Sequence, residues 1–358
     1  MNVDFGNKKL DFMENGKREK ILRTLLKNQI KYVYNTTRSY QEQYDKRGID
    51  PKQINAIDDL NKLPILTKEK IRSMNDHYGP LPHKYKKALV TSQININPYG
   101  SRLHKMFSTS GTTGKPTNVF YTENDWKILG DLVKRVYQDV PIDKYSVLFN
   151  AVHAGHIGGQ MTDQFQRAGF TVIRKHFRAN DEQALTQIKN FGCNVLVSVP
   201  HAVGKGGGTD DLVKSDTEGL IGDQIKVVIS GGAAMKDELR RLLIDLGVEY
   251  IIEDYASSEL LHMAAECEFQ TGLHILFGPS LVEIVDLKSG EHVASEERGR
   301  IVLTVLDREG SQFIRYDLGD EATFIDEPCE CGRTTPRIKD IKRVEDLERL
   351  ETGCRVWE

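Results

Sequence analysis

"IKVVISGGAAMKDELRRLLIDLGVEYIIED" runs from Ile225 to Asp254. It opens on a short β-branched run, Ile225–Ser230, and passes through Gly231-Gly232. "MKDELRRLLIDLG" then has helical apolar spacing, and "VEYIIED" is a second short apolar run. Strand, helix and strand with short joints spell a parallel crossover unit. The same grammar appears upstream. "SVLFNAV" (146–152), "TVIRK" (171–175) and "CNVLVSV" (193–199) are apolar runs separated by helix-like stretches, and Pro200 ends the last of them. The central region therefore reads as α/β, with a mainly parallel sheet flanked by helices.

Outward from this core the texture changes. On the N-terminal side, Ile21, Leu22, Leu25, Leu26, Ile30 and Val33 recur at helical intervals, which predicts a packing helix. "LPILTKEKIRSM" offers a Pro turn and Thr67 as a helix N-cap. On the C-terminal side, "LVEIVD", "RGRIVLTVL" and "QFIRYDLGD" are short strands separated by "DLKSG" and "DREG". They predict a small antiparallel β annex. The expected organisation is a helical region over 1–100, an α/β nucleotide-binding core over 101–273, the annex over 274–340 and a stub over 341–358. "KGGGTDD", Lys205–Asp211, reads as a mobile glycine loop.

The 358 residues include 49 basic and 52 acidic side chains, a net charge of −3. That balance argues against a dedicated nucleic-acid binder, which would carry a basic excess. No run approaches the ~18 apolar residues of a membrane span, and the charged N-terminus lacks a signal-peptide core. A cytoplasmic protein is the expectation. Five cysteines, an odd number, fit metal or core roles better than a disulfide framework.

"STSGTTGKPT", Ser108–Thr117, combines glycines, hydroxyls and one lysine. Glycine-rich backbone can approach a phosphate closely and form an anion-binding concavity. It is not the ordinary P-loop, because Thr109 stands at the first glycine position and Pro116 at the Ser/Thr position. A polar surface turn is the plainer alternative. If the strands on either side of Gly231-Gly232 run parallel, that loop and "DYASSE" (254–259) share the carboxyl edge of the sheet, where open α/β sheets bind ligands.

Together these stretches resemble the adenylate-forming ligases, and within them the phenylacetate–CoA ligase branch. "STSGTTGKPT" is similar to that family's phosphate loop and "DYASSE" to its aromatic-x-x-[ST]-E element. "FIRYDLGD" (313–320) is similar to its "IRYRTGD" element. "CECGRTTPRIKDIKRVED" (329–346) and "LPILTKEKIR" (63–72) resemble two further stretches of the branch. The resemblance implies that Ser108, Ser110, Gly111, Thr112, Thr113, Gly114 and Lys115 hold the ATP phosphates. It implies that Gly232 and Ala233 line the adenine pocket, that Tyr255 stacks on adenine, and that Gly231, Asp254, Ala256 and Ser257 also belong to the nucleotide site. Ser258 would meet the α-phosphate, Glu259 would hold Mg2+, Asp320 would bind the ribose, and Arg343 would lie near it. Lys115, Ser258 and Glu259 are the implied catalytic residues. His153 and His156, in "NAVHAGHIGG", fall on the loop where the family places part of its acyl pocket.

The implied activity is adenylation of a small carboxylic acid, aryl or other acyl, followed by transfer to CoA, another thiol or a thiol-bearing carrier protein. A homodimer is a further candidate assembly. An acyl-protein synthetase or carrier-loading partner, and a nucleotide-binding module without turnover, stay open beside it. The chain departs from the family at Ala233 and Ala234, where Glu and Pro are usual, and at Asp317 and Leu318. It also ends at Glu358, where the family continues into a small C-terminal domain that carries a catalytic lysine.

Cys329-x-Cys331 and Cys267-x6-His274 are two short pairs. Three thiolates and an imidazole would complete a closed tetrahedral zinc site, whereas cysteines alone often simply fill a core. The resembling branch carries similar residues at these places, which implies a structural Zn2+ pinning the annex to the sheet. Cys193 reads as a core residue within a strand; Cys354 carries no signal.

Overall fold

Helices α1 (Asn15–Thr36) and α2 (Arg38–Arg47) come first in the computed structural model, which describes residues 3–67, 80–90, 101–108, 118–137, 140–142, 145–152, 156–176, 178–201 and 208–344. The stripe expected on α1 is the one that is buried, with Leu25, Leu26, Ile30 and Val33 facing the core. Helix α2 stops at Gly48, whose φ of 64° is the left-handed cap geometry glycine adopts without strain. Thr67 lies at the edge of the described residues, and the helix it was expected to cap lies outside them.

Helix α3 (His83–Val90) precedes an antiparallel hairpin of β1 (Leu103–Ser108) and β2 (Asn118–Thr122). Helix α4 (Glu123–Val136) starts directly from β2 through a reciprocal cap between Thr122 and Asp125. The alternating region follows: β3 (Val147–Asn150), α5 (His156–Arg167), β4 (Thr171–Arg174), α6 (Asp181–Phe191) and β5 (Val195–Ser198). It continues through α7 (Thr209–Ser215), α8 (Leu220–Gln224), β6 (Val227–Gly231) and α9 (Asp237–Asp245) into β7 (Tyr250–Ser257). The strands pair in parallel in the order β4-β3-β5-β6-β7, so the crossover reading of Ile225–Asp254 holds.

The antiparallel strands are β8 (Leu261–Glu266), β9 (Leu273–Ile275), β10 (Ser280–Val285), β11 (Arg298–Val305), β12 (Tyr316–Ile325) and β13 (Arg337–Arg343). They begin before residue 274 and extend the parallel sheet edge to edge, in the order β7-β8-β9-β13-β12-β11-β10. The annex boundary thus moves back to β8, because β7 turns straight into an antiparallel hairpin with it. "FIR" precedes β12, with Arg315 at a φ of 48°. Cys193 is buried in the core as expected, but in the turn before β5. Thr209–Asp211, expected in a mobile loop, opens α7 instead. No helix among the described residues is long and apolar enough to cross a membrane.

The segment 308–315 joins these parts. Asp125 is buried, and its carboxylate accepts the backbone N–H groups of Thr122 (2.8 Å), Glu309 (2.8 Å) and Gly310 (2.9 Å). Gln29 of α1 donates to the Arg308 carbonyl and accepts its N–H, both at 3.0 Å. Tyr40 of α2 donates to the Gln312 carbonyl at 2.9 Å. The Arg315 guanidinium is buried on Glu283 and bonds the Leu63 carbonyl at 3.0 Å.

Gly310 has no room for a side chain: a Cβ there would stand 2.2 Å from the Phe120 carbonyl oxygen and 2.8 Å from Asp125 Oδ2. Gly310→Ala is therefore expected to destabilise the fold by about 1–3 kcal/mol or more, read as a lower urea midpoint. An unchanged midpoint would show that β2 and the 308–315 turn do not meet this closely.

Candidate active site and metal centre

Strands β5, β6 and β7 bring their carboxyl ends level, with Ser198 opposite Ser230 and Gly231 opposite Asp254. The two loops expected at one edge are at one edge. Gly231 must lack a side chain, because its Cβ would stand 2.9 Å from the Asp254 carbonyl oxygen. Gly232 follows at a φ of 81°, and Ala233 is half-buried. "DYASSE" is less of a loop than expected. Asp254, Tyr255, Ala256 and Ser257 belong to β7, because its ladder with β8 runs to Ser257–Leu261. Only Ser258, Glu259 and Leu260 form the turn.

Three of the quoted stretches meet on this edge. Tyr255 is buried, and its hydroxyl donates to Asp320 Oδ2 at 2.8 Å. Arg343 donates to Asp320 Oδ1 at 2.9 Å, and the two residues are cross-strand partners on β12 and β13. Burial, then the Asp320 charge, pushes the Tyr255 hydroxyl well above its ordinary pKa, so it stays a neutral donor. Glu259 is buried, and one of its oxygens accepts from the Tyr316 hydroxyl at 3.3 Å. The Ser258 carbonyl accepts from Tyr121 at 2.8 Å, and the Arg308 guanidinium lies 3.7 Å from the centre of the Tyr121 ring. Ser257 Oγ accepts the Glu259 N–H at 3.2 Å.

Asp254 faces away from this group. Its carboxylate accepts from Tyr137, the residue that caps α4, at 3.0 Å and pairs with His262 Nδ1 on β8 at 2.5 Å. Ser108 ends β1, and its hydroxyl bonds Asn118 Oδ1 at 2.5 Å, closing the neck from which residues 109–117 leave the hairpin. Ser110, Gly111, Thr112, Thr113, Gly114 and Lys115 lie outside the described residues, as does His153; His156 opens α5.

A family model described as "AMP-binding enzyme" matches residues 51–304. The chain belongs to the AMP-binding enzyme family. It is 27% identical over 347 residues to the phenylacetate-coenzyme A ligase of Thermus thermophilus, covering 93% of this chain and 71% of that protein. It is 28% identical over 328 residues to the Escherichia coli K12 enzyme of the same name, covering 87% and 68%. Among solved structures, an open conformation of 2-hydroxyisobutyryl-CoA ligase superposes with a TM-score of 0.77 at 15% identity, over 92% of this chain and 75% of that one. The adenylate-forming fold expected from the motifs is thereby shared. The AMP-binding match includes the Ser108–Thr117 and Asp254–Glu259 stretches and stops short of Asp320 and Arg343.

The AMP-binding enzyme also carries a second cluster, some way along the sheet. Cys267, His274, Cys329 and Cys331 bring their ligand atoms within 4.8 Å of one another. Cys267 Sγ and Cys329 Sγ are 3.7 Å apart, and both are free thiols, far from the ~2.05 Å of a disulfide. Zinc–sulfur bonds of about 2.3 Å set tetrahedral sulfur pairs about 3.8 Å apart, so the spacing suits a shared cation. Cys331 Sγ lies 3.3 Å from His274 Nε2, while Nδ1 meets the Thr335 carbonyl at 3.1 Å. That carbonyl fixes the tautomer that frees Nε2 as a ligand. Burial holds the His274 pKa down at about 4, keeping the ring neutral, as a metal ligand must be.

Sequence reasoning missed Tyr121, Arg308, Tyr137 and His262. Tyr316 lies inside a quoted motif, but the others sit in plain strands, a helix and a turn. One signal was available for His262: it is the sole ionisable side chain in "LLHMAA" (260–265).

Proposed function

We propose that this AMP-binding enzyme adenylates a small carboxylic acid, of the aryl or a related acyl class, and passes the acyl group to CoA or another thiol. A carboxylate oxygen would attack the α-phosphorus of ATP, the bond to pyrophosphate would break, and acyl-AMP would form. The observation that carries this reading is the Tyr255–Asp320–Arg343 network, set beside Gly231-Gly232 at the carboxyl edge of parallel strands. Asp320 is an acceptor held by two donors, suited to ribose hydroxyls, and Gly231 leaves backbone open to a base. The names of the relatives support an aryl acid and CoA.

Positioning and charge neutralisation are the protein's main tasks in such a reaction. Lys115 and the surrounding loop would neutralise the leaving phosphates. Ser258 would approach the α-phosphate from the turn that Tyr121 holds. Glu259 is a buried carboxylate with one oxygen engaged only by a neutral hydroxyl, a hard donor that fits Mg2+; the ion would offset phosphate charge there. The Cys267–His274–Cys329–Cys331 cluster would hold a structural zinc, joining the end of β8 and β9 to the turn before β13.

AMP at saturation is expected to raise the melting temperature by a few degrees. Asp320→Ala should raise the Kd for AMP tenfold or more, and Tyr255→Phe several-fold, in titration calorimetry. ATP–pyrophosphate exchange should require an added acid. AMP binding unaffected by both substitutions would remove the nucleotide assignment.

Zinc is expected at about one ion per chain by plasma emission, falling in Cys329→Ser. A strong chelator should lower the melting temperature of the wild type and leave that variant unmoved. Metal-free protein of unchanged stability would sink the zinc assignment.

A further inference from the structure

A half-open cavity of about 280 Å³ lies between α1, the end of β9, the start of β10 and the turn before β13. The length of β13, about 20 Å, separates Pro336 in its lining from Arg343 and the nucleotide edge. No role given so far uses it. Its floor is apolar, with Leu22, Ile57, Phe277, Leu281, Val282 and Pro336. Leu22 belongs to the stripe expected on α1, yet it is only partly covered, as are Ile57, Val282 and Pro336. An apolar cavity of ~150 Å³ already holds benzene, so this one has room for a ring with a short side chain.

One cation stands in the lining. Asn15, Arg18 and Leu22 recur at helical spacing and share one face of α1, which sets a guanidinium one turn from the apolar floor. Arg18 Nη1 donates to the Thr334 carbonyl at 2.7 Å and to Thr334 Oγ1 at 2.8 Å, and Nη2 donates to Asn15 Oδ1 at 2.8 Å. These bonds fix the plane of the group. They leave Nε–H and one hydrogen of Nη2, which are neighbouring donors of the guanidinium fork. Arg18 is half-buried, and no carboxylate among the described residues forms an ion pair with it. Burial lowers its pKa, against the longer-range pull of Asp326. Glu19, also in the lining, is turned to Arg23 at 2.5 Å. A charge without a close partner, beside an apolar hollow, calls for an anion with an apolar body.

We infer that this cavity is a second ligand site, and that it takes a small apolar monocarboxylate. The carboxylate bridges Nε and Nη2 of Arg18, and the ring or chain covers Leu22 and Phe277. Two carboxylate oxygens match two neighbouring N–H donors of a guanidinium. A single cation near Glu19 suits one negative charge better than the two of a phosphate ester. Thr335 lines the cavity, and its carbonyl holds the His274 ring. An occupant therefore also braces the turn that supports the cysteine–histidine cluster.

The acid of the proposed function belongs to the same chemical class, so the strand-edge site is filled first with phenylacetyl-sulfamoyl adenosine, a stable mimic of acyl-AMP. Titration calorimetry of the full chain with phenylacetate should then show one further equivalent bound, with a Kd below about 1 mM. Phenylacetamide, which has the same shape without the charge, should bind tenfold or more weakly. Arg18→Gln should weaken phenylacetate tenfold or more and leave phenylacetamide within about twofold. Because Arg18 also holds Thr334, Leu22→Trp is the second variant: it fills the cavity, keeps the guanidinium and should abolish binding of both. Neither substitution should change the Kd for AMP. Absence of a further equivalent in the wild type overturns the inference. Binding of acid and amide with equal strength overturns it too, as does binding that neither substitution weakens. Self-association that Leu22→Trp abolishes, with no acid bound, makes a second copy of the chain the occupant and also overturns it. A mimic that does not bind removes the adenylating reading alone, and the same titration in the open protein then decides this one.

Discussion

One buried carboxylate registers the first hairpin against the antiparallel half of the sheet. Asp125 is sealed from water and, in the order of their spacing, takes N–H groups from its own helix cap and from a turn more than 180 residues further on. An ionised group so buried is costly unless its hydrogen bonds are complete; burial pushes its pKa up against the pull of Arg308 and those amides. The bonds fix the hairpin of β1 and β2 against the 308–315 segment. From there Arg308 lies over Tyr121, and Tyr121 holds the Ser258 carbonyl. The turn bearing Ser258 and Glu259 is thus registered to the β1–β2 hairpin through Asp125, Arg308 and Tyr121.

The sheet has two halves with different tasks. Its parallel half supplies the carboxyl edge on which Gly231 and β7 converge. Its antiparallel half carries Asp320 and Arg343 to the same edge on adjacent strands. Because β8 continues β7 through a tight turn, a displacement of one half is transmitted to the other through shared backbone hydrogen bonds. The cysteine–histidine cluster lies in the antiparallel half, where His274 of β9 pairs with Arg337 at the start of β13, the opposite end of that strand from Arg343.

Much of the fold could be read from local pattern. The crossover unit at Ile225–Asp254 and the stripe on α1 follow from spacing alone, whereas the meeting of Cys267 and His274 with Cys329 and Cys331 was implied only by the resemblance. The attachment of strands β10 to β13 to the parallel sheet could not be read, because the pairing of β9 with β13 joins residues more than 60 apart. Asp254 was placed with the nucleotide because it adjoins Tyr255 in sequence, yet strand alternation sends its side chain to the other face. His262 was invisible for a related reason: its facing is set by a ladder slip, and no composition or spacing rule announces one. Tyr121 and Arg308 look like ordinary strand and turn residues until the long-range contacts bring them together.

The bonds between α1 and the 308–315 segment also set an order of events. Gln29 is made well before its partners at Arg308, which lie 279 positions downstream. At about 5–20 residues per second of synthesis, the amide waits roughly 15–60 s for them. Through that interval the apolar stripe of Leu25, Leu26, Ile30 and Val33 lacks its final cover. Nascent α1 thus carries an apolar stripe that a chaperone can shelter on the ribosome.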